Sequence, residues 1–417
     1  MFFMNLHHVI FEALYEIKLT RRNLLFNMFV FFALLTTISF TFISFSESDK
    51  IEFGEFYLPW VVQALPSSIP FMTAYYYNFV QVLMVFFMVS NDLRRLRFTT
   101  ISALEARPQD NSDTIIGKFL GRVAIFSLVN VLIYSVMICY NLIYYPRVLN
   151  ISYYFFYGIT LNFPVLIYFL SLSILVSRFI NNQGISILFL LFFCVGTTIC
   201  GAGVMNNLFD PFARYIPNLF SDFVGHVQLT CFLLHQTIYL LMGICFLILS
   251  ILVYRRLPNN IHQVRSVLVF AMFPFILSVI FIAFYMGNFM RVERNKNEYR
   301  QFYFEYEHVL KNRVLSNEIR LRDLGKEGVA VESKMKIVNR NEEQIPVLLY
   351  LNPGLTVNGI KNGSVNLSFE RKGPVILVDK QLAAEDTCDL IVSYEGIVDN
   401  DVCHLDQFAV PGYQRLN

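Results

Sequence analysis

The chain has 417 residues, of which 55% are hydrophobic, 16% aromatic and only 15% charged, with a mean hydropathy of +0.50 and a net charge of +2. Soluble domains carry about 25% charged residues, so a purely soluble enzyme is excluded, and so is a disordered chain. The small net charge speaks against nucleic acid as a partner.

Residues 1–20 lack the basic start, compact apolar centre and small-residue cleavage site of a signal peptide. Phe2, Leu6, Val9, Ile10, Ala13, Leu14 and Ile17 instead recur at helical spacing, with His7, His8, Glu12, Glu16 and Lys18 on the other side. This predicts an amphipathic helix lying on the inner membrane surface. Adjacent His7 and His8 would point about 100° apart on a helix, which makes them a poor metal pair.

Long apolar runs follow, each of a length that spans a bilayer as a helix. They predict spans at 24–45, 66–90, 119–144, 155–177, 184–204, 232–254 and 267–289. Pro59, Pro66 and Pro70 interrupt the start of the second run. The link after the fourth span is tight. The longer link 205–231 contains Pro211, Pro217 and Gly225 and no 18-residue apolar run. It is either an ordinary loop or a pair of short interfacial helices dipping into the outer leaflet.

Basic residues set the direction of crossing. Lys18, Arg21 and Arg22, then Arg94, Arg95, Arg97, Arg107, Lys118 and Arg122, then Arg178, then Arg255, Arg256 and Arg265 lie on one side. Only Lys50, Arg147 and Arg214 lie on the other side before the tail. The N-terminus is therefore expected in the cytoplasm, and seven crossings put the tail outside. Arg291, Arg294 and Lys296, just after the last span, run against this direction.

The span centres carry no Asp, Glu, Lys or Arg, and Arg122 is expected to snorkel to the interface. Gln81, Asn130, Asn141, Asn162 and His235 are expected to form interhelical hydrogen bonds. This argues against a proton-coupled transporter or a redox pump, so energy would come from elsewhere.

The connection 91–118 is basic, with a short mixed helix around 101–107 ended by Pro108. A stiff, charged element of this kind is a handle for a cytoplasmic partner. The amphipathic entry helix, this basic loop, its Leu104-Glu105-Ala106-Arg107-Pro108 stretch and Gly117-Lys118 opening the third span resemble a type-2 ABC transporter permease. The resemblance covers roughly residues 1–254, and the long link falls where that family has its re-entrant hairpin. It implies a six-helix transporter fold, so a seventh span is a departure. It further implies a second permease copy or paralogue and a separate ATPase subunit, contacted by Glu12, Glu16, Arg94, Arg95, Arg97, Glu105, Arg107 and Lys118. The chain has no phosphate-binding loop of its own, since Gly117-Lys118 is followed by Phe119 and Gly325-Lys326 by Glu327.

After Phe289 the charge density rises, and this tail holds more than half of all charged residues. Residues 291–327 read as a connector, helical or extended. From Gly328 the apolar period becomes two: Val329, Val331, Ser333, Met335 and Ile337 alternate with more polar neighbours. Further strands are expected at 347–351, 355–357, 365–369, 375–378 and 390–394. Turns are expected at Asn352-Pro353-Gly354, Asn358-Gly359, Asn362-Gly363 and Lys372-Gly373-Pro374. Residues 328–417 are thus expected to be an antiparallel β-sandwich of about six strands.

Val331 to Asn339, Leu349-Tyr350-Leu351-Asn352-Pro353, Leu355-Thr356-Val357 and Val392-Ser393-Tyr394-Glu395-Gly396 are similar to the N-terminal β-domain of the aminopeptidase N family. The order resembles the permease–aminopeptidase fusions of Bacteroidetes-like bacteria and implies an extracytoplasmic peptidase partner. No His-Glu-x-x-His zinc helix occurs, so no peptidase residue carries over. Cys139, Cys194, Cys200, Cys231 and Cys245 read as packing residues. Cys388 and Cys403 are the pair available for a disulfide in the tail.

The expected whole is a membrane all-α bundle (21–290) behind an interfacial helix (1–20), then a connector and an all-β domain. It would be a non-enzymatic, multi-pass subunit of a bacterial inner-membrane exporter, without a cofactor. The alternatives are the membrane half of a zinc aminopeptidase system, or a scaffold presenting the β-domain.

Overall fold

A computed structural model describes residues 5–46, 68–98, 110–199, 204–213, 216, 220–221, 225–226, 229–254 and 261–399. The described residues divide into two compact units, the first ending at Gly287 and the second beginning at Asn288.

The first unit is helical. α1 (Leu6–Arg21) is capped by Asn5, whose side chain accepts from the His7 amide. It is followed by α2 (Leu24–Ser46), α3 (Ile69–Phe98) and α4 (Asn111–Tyr144). α5 (Ile151–Tyr157) continues through a π-helical turn, Gly158–Asn162, into α6 (Phe163–Ile180). α7 (Gln183–Ile199), α8 (Leu229–Val253) and α9 (Ile261–Glu305) complete the helices, and α9 belongs to the first unit only as far as Gly287. Between α7 and α8 lies a minimal hairpin of β1 (Phe220–Ser221) and β2 (Gly225–His226).

Six of these helical runs are long and apolar enough to cross a membrane: α2, α3, α4, α5–α6, α8 and α9. The seventh expected span falls on α7, a shorter apolar helix of 17 residues. α3 and α5–α6 are the most enclosed and form the middle of the unit. α2 turns Phe31 and Phe32 outward, and α9 turns Phe270 and Phe273 outward. Such apolar outer faces suit lipid, where burial inside the protein is no longer the only home for an aromatic ring.

The centre is packed closely. A Cβ on Gly243 of α8 would sit 2.9 Å from the Tyr168 backbone of α6, so only hydrogen there lets the two helices meet. The α6–α7 link is tight because asparagines cap both ends. Asn181 adopts the left-handed conformation at φ 54°, its amide bonding to Ser177 O, and Asn182 accepts from the Gly184 amide at 3.1 Å.

The second unit is the β-domain. Its strands are β3 (Arg313–Asp323), β4 (Val329–Val338), β5 (Ile345–Tyr350), β6 (Leu355–Asn362), β7 (Val365–Leu367), β8 (Phe369–Lys372), β9 (Val375–Leu382) and β10 (Thr387–Gly396). Two antiparallel sheets form, in the orders β3-β4-β10-β6-β7 and β5-β9-β8. Their inner faces share one core. Ile337, Ile360, Leu390 and Val392 come from the larger sheet, and Val347, Ile376, Val378 and Leu382 from the smaller. The alternation in β4 delivers this directly, because Val331, Ser333 and Ile337 turn inward.

Three differences from the sequence expectation have local causes. β3 lies in the stretch read as a connector, so the sheet starts earlier; every residue of that strand is exposed, which removed the alternation that marks a half-buried strand. Asn358-Gly359 is not a turn. It lies inside β6, where Val357 pairs with Tyr394 and Gly359 with Ser393, leaving Asn358 as an extra residue in a β-bulge. The predicted strand at 365–369 is two short strands in different sheets, β7 and β8. The turns at Asn362-Gly363 and Lys372-Gly373 hold, with Gly363 at φ 61° and Gly373 at φ 56°.

Candidate functional site

The residues that bear on function gather in three places within the helical unit. The first is the junction of α1 and α4. Asp113, Gly117 and Gly121 stand four residues apart and so share one face of α4. Asp113 lies 3.8 Å from the His8 ring and accepts weakly from the Asn5 amide at 3.4 Å. A Cβ on Gly117 would lie 2.6 Å from the Glu12 Cβ and 2.9 Å from the Val9 carbonyl oxygen. A Cβ on Gly121 would lie 2.6 Å from the Ala13 carbonyl oxygen. Contacts advance along both helices together, so α1 runs parallel to α4, seated on a two-glycine groove.

One ion pair locks the end of this seam. Arg122 donates from Nε (2.8 Å) and from a terminal nitrogen (2.7 Å) to Glu16 Oε1. Both residues are 4% exposed. Two expectations are corrected here. Arg122 does not snorkel, because Glu16 offers it a partner inside the protein. The Glu12–Glu16 side of α1 does not face solvent; it packs on α4, while Leu6, Ile10 and Leu14 face outward.

The other residues expected to meet an ATPase are distributed as follows. Glu12 is half-buried beside Gly117, and Lys118 is half-buried. Arg94, Arg95 and Arg97 fall on the C-terminal turns of α3. Glu105 and Arg107 lie outside the described residues. The structure therefore brings Glu12 and Glu16 to one seam, while Lys118 lines a cleft with residues of α6. Sequence reading noted Gly117-Lys118 but missed Gly121; the Gly-x-x-x-Gly spacing was the available signal.

The second place is the π-helical turn. Pro164 has no N–H for the Thr160 carbonyl, and its ring crowds that carbonyl. A widened turn just before it relieves the conflict, and it sets Asn162, fully buried, among α3 and α4. Asn162 Nδ2 donates to Ala74 O at 3.0 Å and to Asn78 Oδ1 at 2.7 Å. Tyr134 donates its hydroxyl to Asn162 Oδ1. Gln81 Nε2 donates to Asn162 O at 3.3 Å. Nearby, Asn141 Nδ2 donates to the Tyr154 hydroxyl at 3.3 Å. Gln81, Asn141 and Asn162 thus make the interhelical bonds expected of them, and Asn78 and Tyr134 join them. These two were hidden in the sequence because Asn78 sits in an aromatic-rich run and Tyr134 in an aliphatic one, and both runs read as packing.

The third place is the 204–213 segment, the start of the long link, where Val204, Met205 and Phe209 are exposed and Asp210 to Ala213 are buried. It is a chain of tight turns, with Asn206 and Asn207 at positive φ and Phe212 fully buried. Phe212 stacks on Phe79 at 4.5 Å and on Phe169 at 5.6 Å between ring centres. The spanning helices satisfy its carbonyls: Tyr285 donates to Asn206 O at 2.7 Å and Tyr239 to Leu208 O at 2.8 Å. Non-helical backbone can sit within a bundle only under such protection. Asp210 and His235 are fully buried beside it, and Asp210 Oδ1 accepts from the Phe212 amide at 3.1 Å.

Among the described residues no group of three or more His, Cys, Asp or Glu converges as a metal would require. Cys388 is buried in the β-domain core, and Cys403 lies outside the described residues. No protein-family model matches the chain, and no curated protein matches it.

Proposed function

We propose that the chain is the membrane-spanning subunit of an ATP-driven exporter, energised by a separate ATPase subunit. The observation that carries this reading is the seam that fastens α1 to α4. A short amphipathic helix fixed to a spanning helix can pass a push from an ATPase into the bundle. A helix floating on lipid could not. Glu12 with the basic end of α3 and the 99–109 connection form the docking region; Glu16 serves inside, by holding Arg122. A second copy or a paralogue completes the transporter against the outward apolar faces.

α7 completes a seventh crossing in this reading. Its 17 residues cover about 25 Å at 1.5 Å per residue, close to a hydrocarbon core of about 30 Å. The asparagine-capped link reverses the chain straight out of α6, so α7 returns along it. In this reading the one-sided basic residues put the N-terminus in the cytoplasm, and seven crossings then put the β-domain on the far side of a bacterial inner membrane.

The test is association. The tagged full chain, extracted from native membranes, should bring an ATPase with it. Arg94→Glu with Arg95→Glu and Glu105→Arg should abolish that without loss of the folded chain. Absence of any ATPase from the native extract refutes the reading.

The exposed strand β3 favours a second reading, in which the bundle anchors the β-domain for a peptidase partner. An open strand edge offers main-chain bonds to another chain. Retained function after loss of the ATPase would support it.

A further inference from the structure

A partly open cleft lies where α3, α4, α6 and the end of α8 converge. Its polar lining is Lys118 and Arg122 of α4 with Ser177 and Arg178 of α6, and its apolar walls include Val89 and Ile174. Lys118 and Arg122 are four residues apart, so they project on one side of α4. Ser177 and Arg178 come from the last turn of α6.

The charges in this cleft do not balance. Arg122 is matched by Glu16 at 2.7 Å. Arg178 lies over the Tyr254 ring at 4.7 Å, a contact that fixes its position without cancelling its charge. No described carboxylate pairs with Lys118 or Arg178. Two positively charged residues that line the cleft therefore have no carboxylate partner among the described residues. Ser177 adds a hydroxyl that is 2% exposed and has no hydrogen-bond partner among the described residues. A buried hydroxyl without a partner is destabilising, so a ligand oxygen there would recover stability.

We propose that this cleft is a binding site for a phosphate group, carried by an anionic phospholipid. A phosphate has enough acceptor oxygens to take bonds from an ammonium, a guanidinium and a hydroxyl arriving from two helices. A phosphodiester with acyl chains also suits the apolar walls, and basic pockets between spanning helices are where lipid headgroups bind. The bound head would bridge α4 and α6, which otherwise present like charges to each other. The site stands independently of the ATPase reading, because none of its described groups needs a protein partner.

The test uses the detergent-purified full chain and native mass spectrometry after incubation with phosphatidylglycerol, phosphatidylcholine or inorganic phosphate. The wild-type chain should retain phosphatidylglycerol over phosphatidylcholine. Lys118→Gln with Arg178→Gln should weaken that retention by about tenfold, as expected for loss of charge-assisted bonds. Ser177→Ala should weaken it less and leave the fold intact. Arg147→Gln, outside the cleft, should change nothing. Displacement by millimolar inorganic phosphate supports the phosphate as the recognised group. If phosphate binds and phosphatidylglycerol does not, the lipid source is wrong. Equal retention of phosphatidylglycerol by wild type and by both cleft variants, each still folded by circular dichroism, overturns the site.

Discussion

Glu16 and Arg122 are both buried, so each depends on the other. Removing one partner leaves a lone charge in a poorly solvated place, which costs about 3–5 kcal/mol. Glu16→Gln or Arg122→Gln should therefore lower the unfolding midpoint of the detergent-solubilised chain markedly. Glu16→Leu with Arg122→Met should recover most of the loss, because the pair is exchanged for apolar atoms rather than broken. If the single and double variants fall equally, the pair is not coupled as its geometry indicates. Asn162 is the second such residue. It holds Ala74, Asn78 and Tyr134 at once, so Asn162→Leu orphans several buried groups. A cost of about 1–3 kcal/mol for each unmet group is expected. Tyr134→Phe should cost less, since only one bond is lost.

At the scale of elements, glycine spacing and strand alternation act alike: each decides how closely two elements meet. Gly121→Leu cannot be accommodated against the Ala13 carbonyl without moving α1 away from α4. The expected result is faster amide exchange throughout α1, with α6 and α8 unchanged. In the β-domain, Ile337 and Leu382 come from opposite sheets and fill the same core. Leu382→Ala should cost about 2–5 kcal/mol, from lost burial and the cavity left behind. That loss should appear as lowered protection across β4, β9 and β10. Protection in the helical unit should not change, because the two units have separate cores. Legibility in the sequence followed the same division. β4 was readable because its period of two is unbroken, whereas β3 was not, because an edge strand exposed along its whole length has no pattern to show.

For the whole molecule, the number of crossings decides whether the N-terminus and the β-domain share a side of the membrane, while the basic residues set which side that is. If α7 crosses, the N-terminus and the β-domain lie on opposite sides. If it does not, they lie on the same side. External protease applied to spheroplasts should remove an epitope placed after the β-domain and spare one at the N-terminus. Protection of both epitopes until the membrane is opened would remove α7 from the count and reverse the placement of the tail. That outcome would leave the α1–α4 seam and the Asn162 network untouched, since neither depends on direction.

Composition and periodicity were enough to establish a membrane-embedded helical region followed by a β-domain, because burial in lipid and burial in a sheet each impose a repeat that survives in one dimension. Six of the seven expected spans, most strands and the turns at Gly363 and Gly373 could be read for that reason. Four features required the tertiary structure: the partner of Arg122, the inward face of α1, the bulge at Asn358 and the burial of Asp210 to Ala213. Each depends on which distant residue comes to lie opposite, as Glu16 does for Arg122, Tyr394 and Ser393 for the two neighbours of Asn358, and Phe79 for Phe212. A local repeat records whether a side chain is buried. It does not record against what, and that pairing is what turned an expected surface arginine into the lock of a seam.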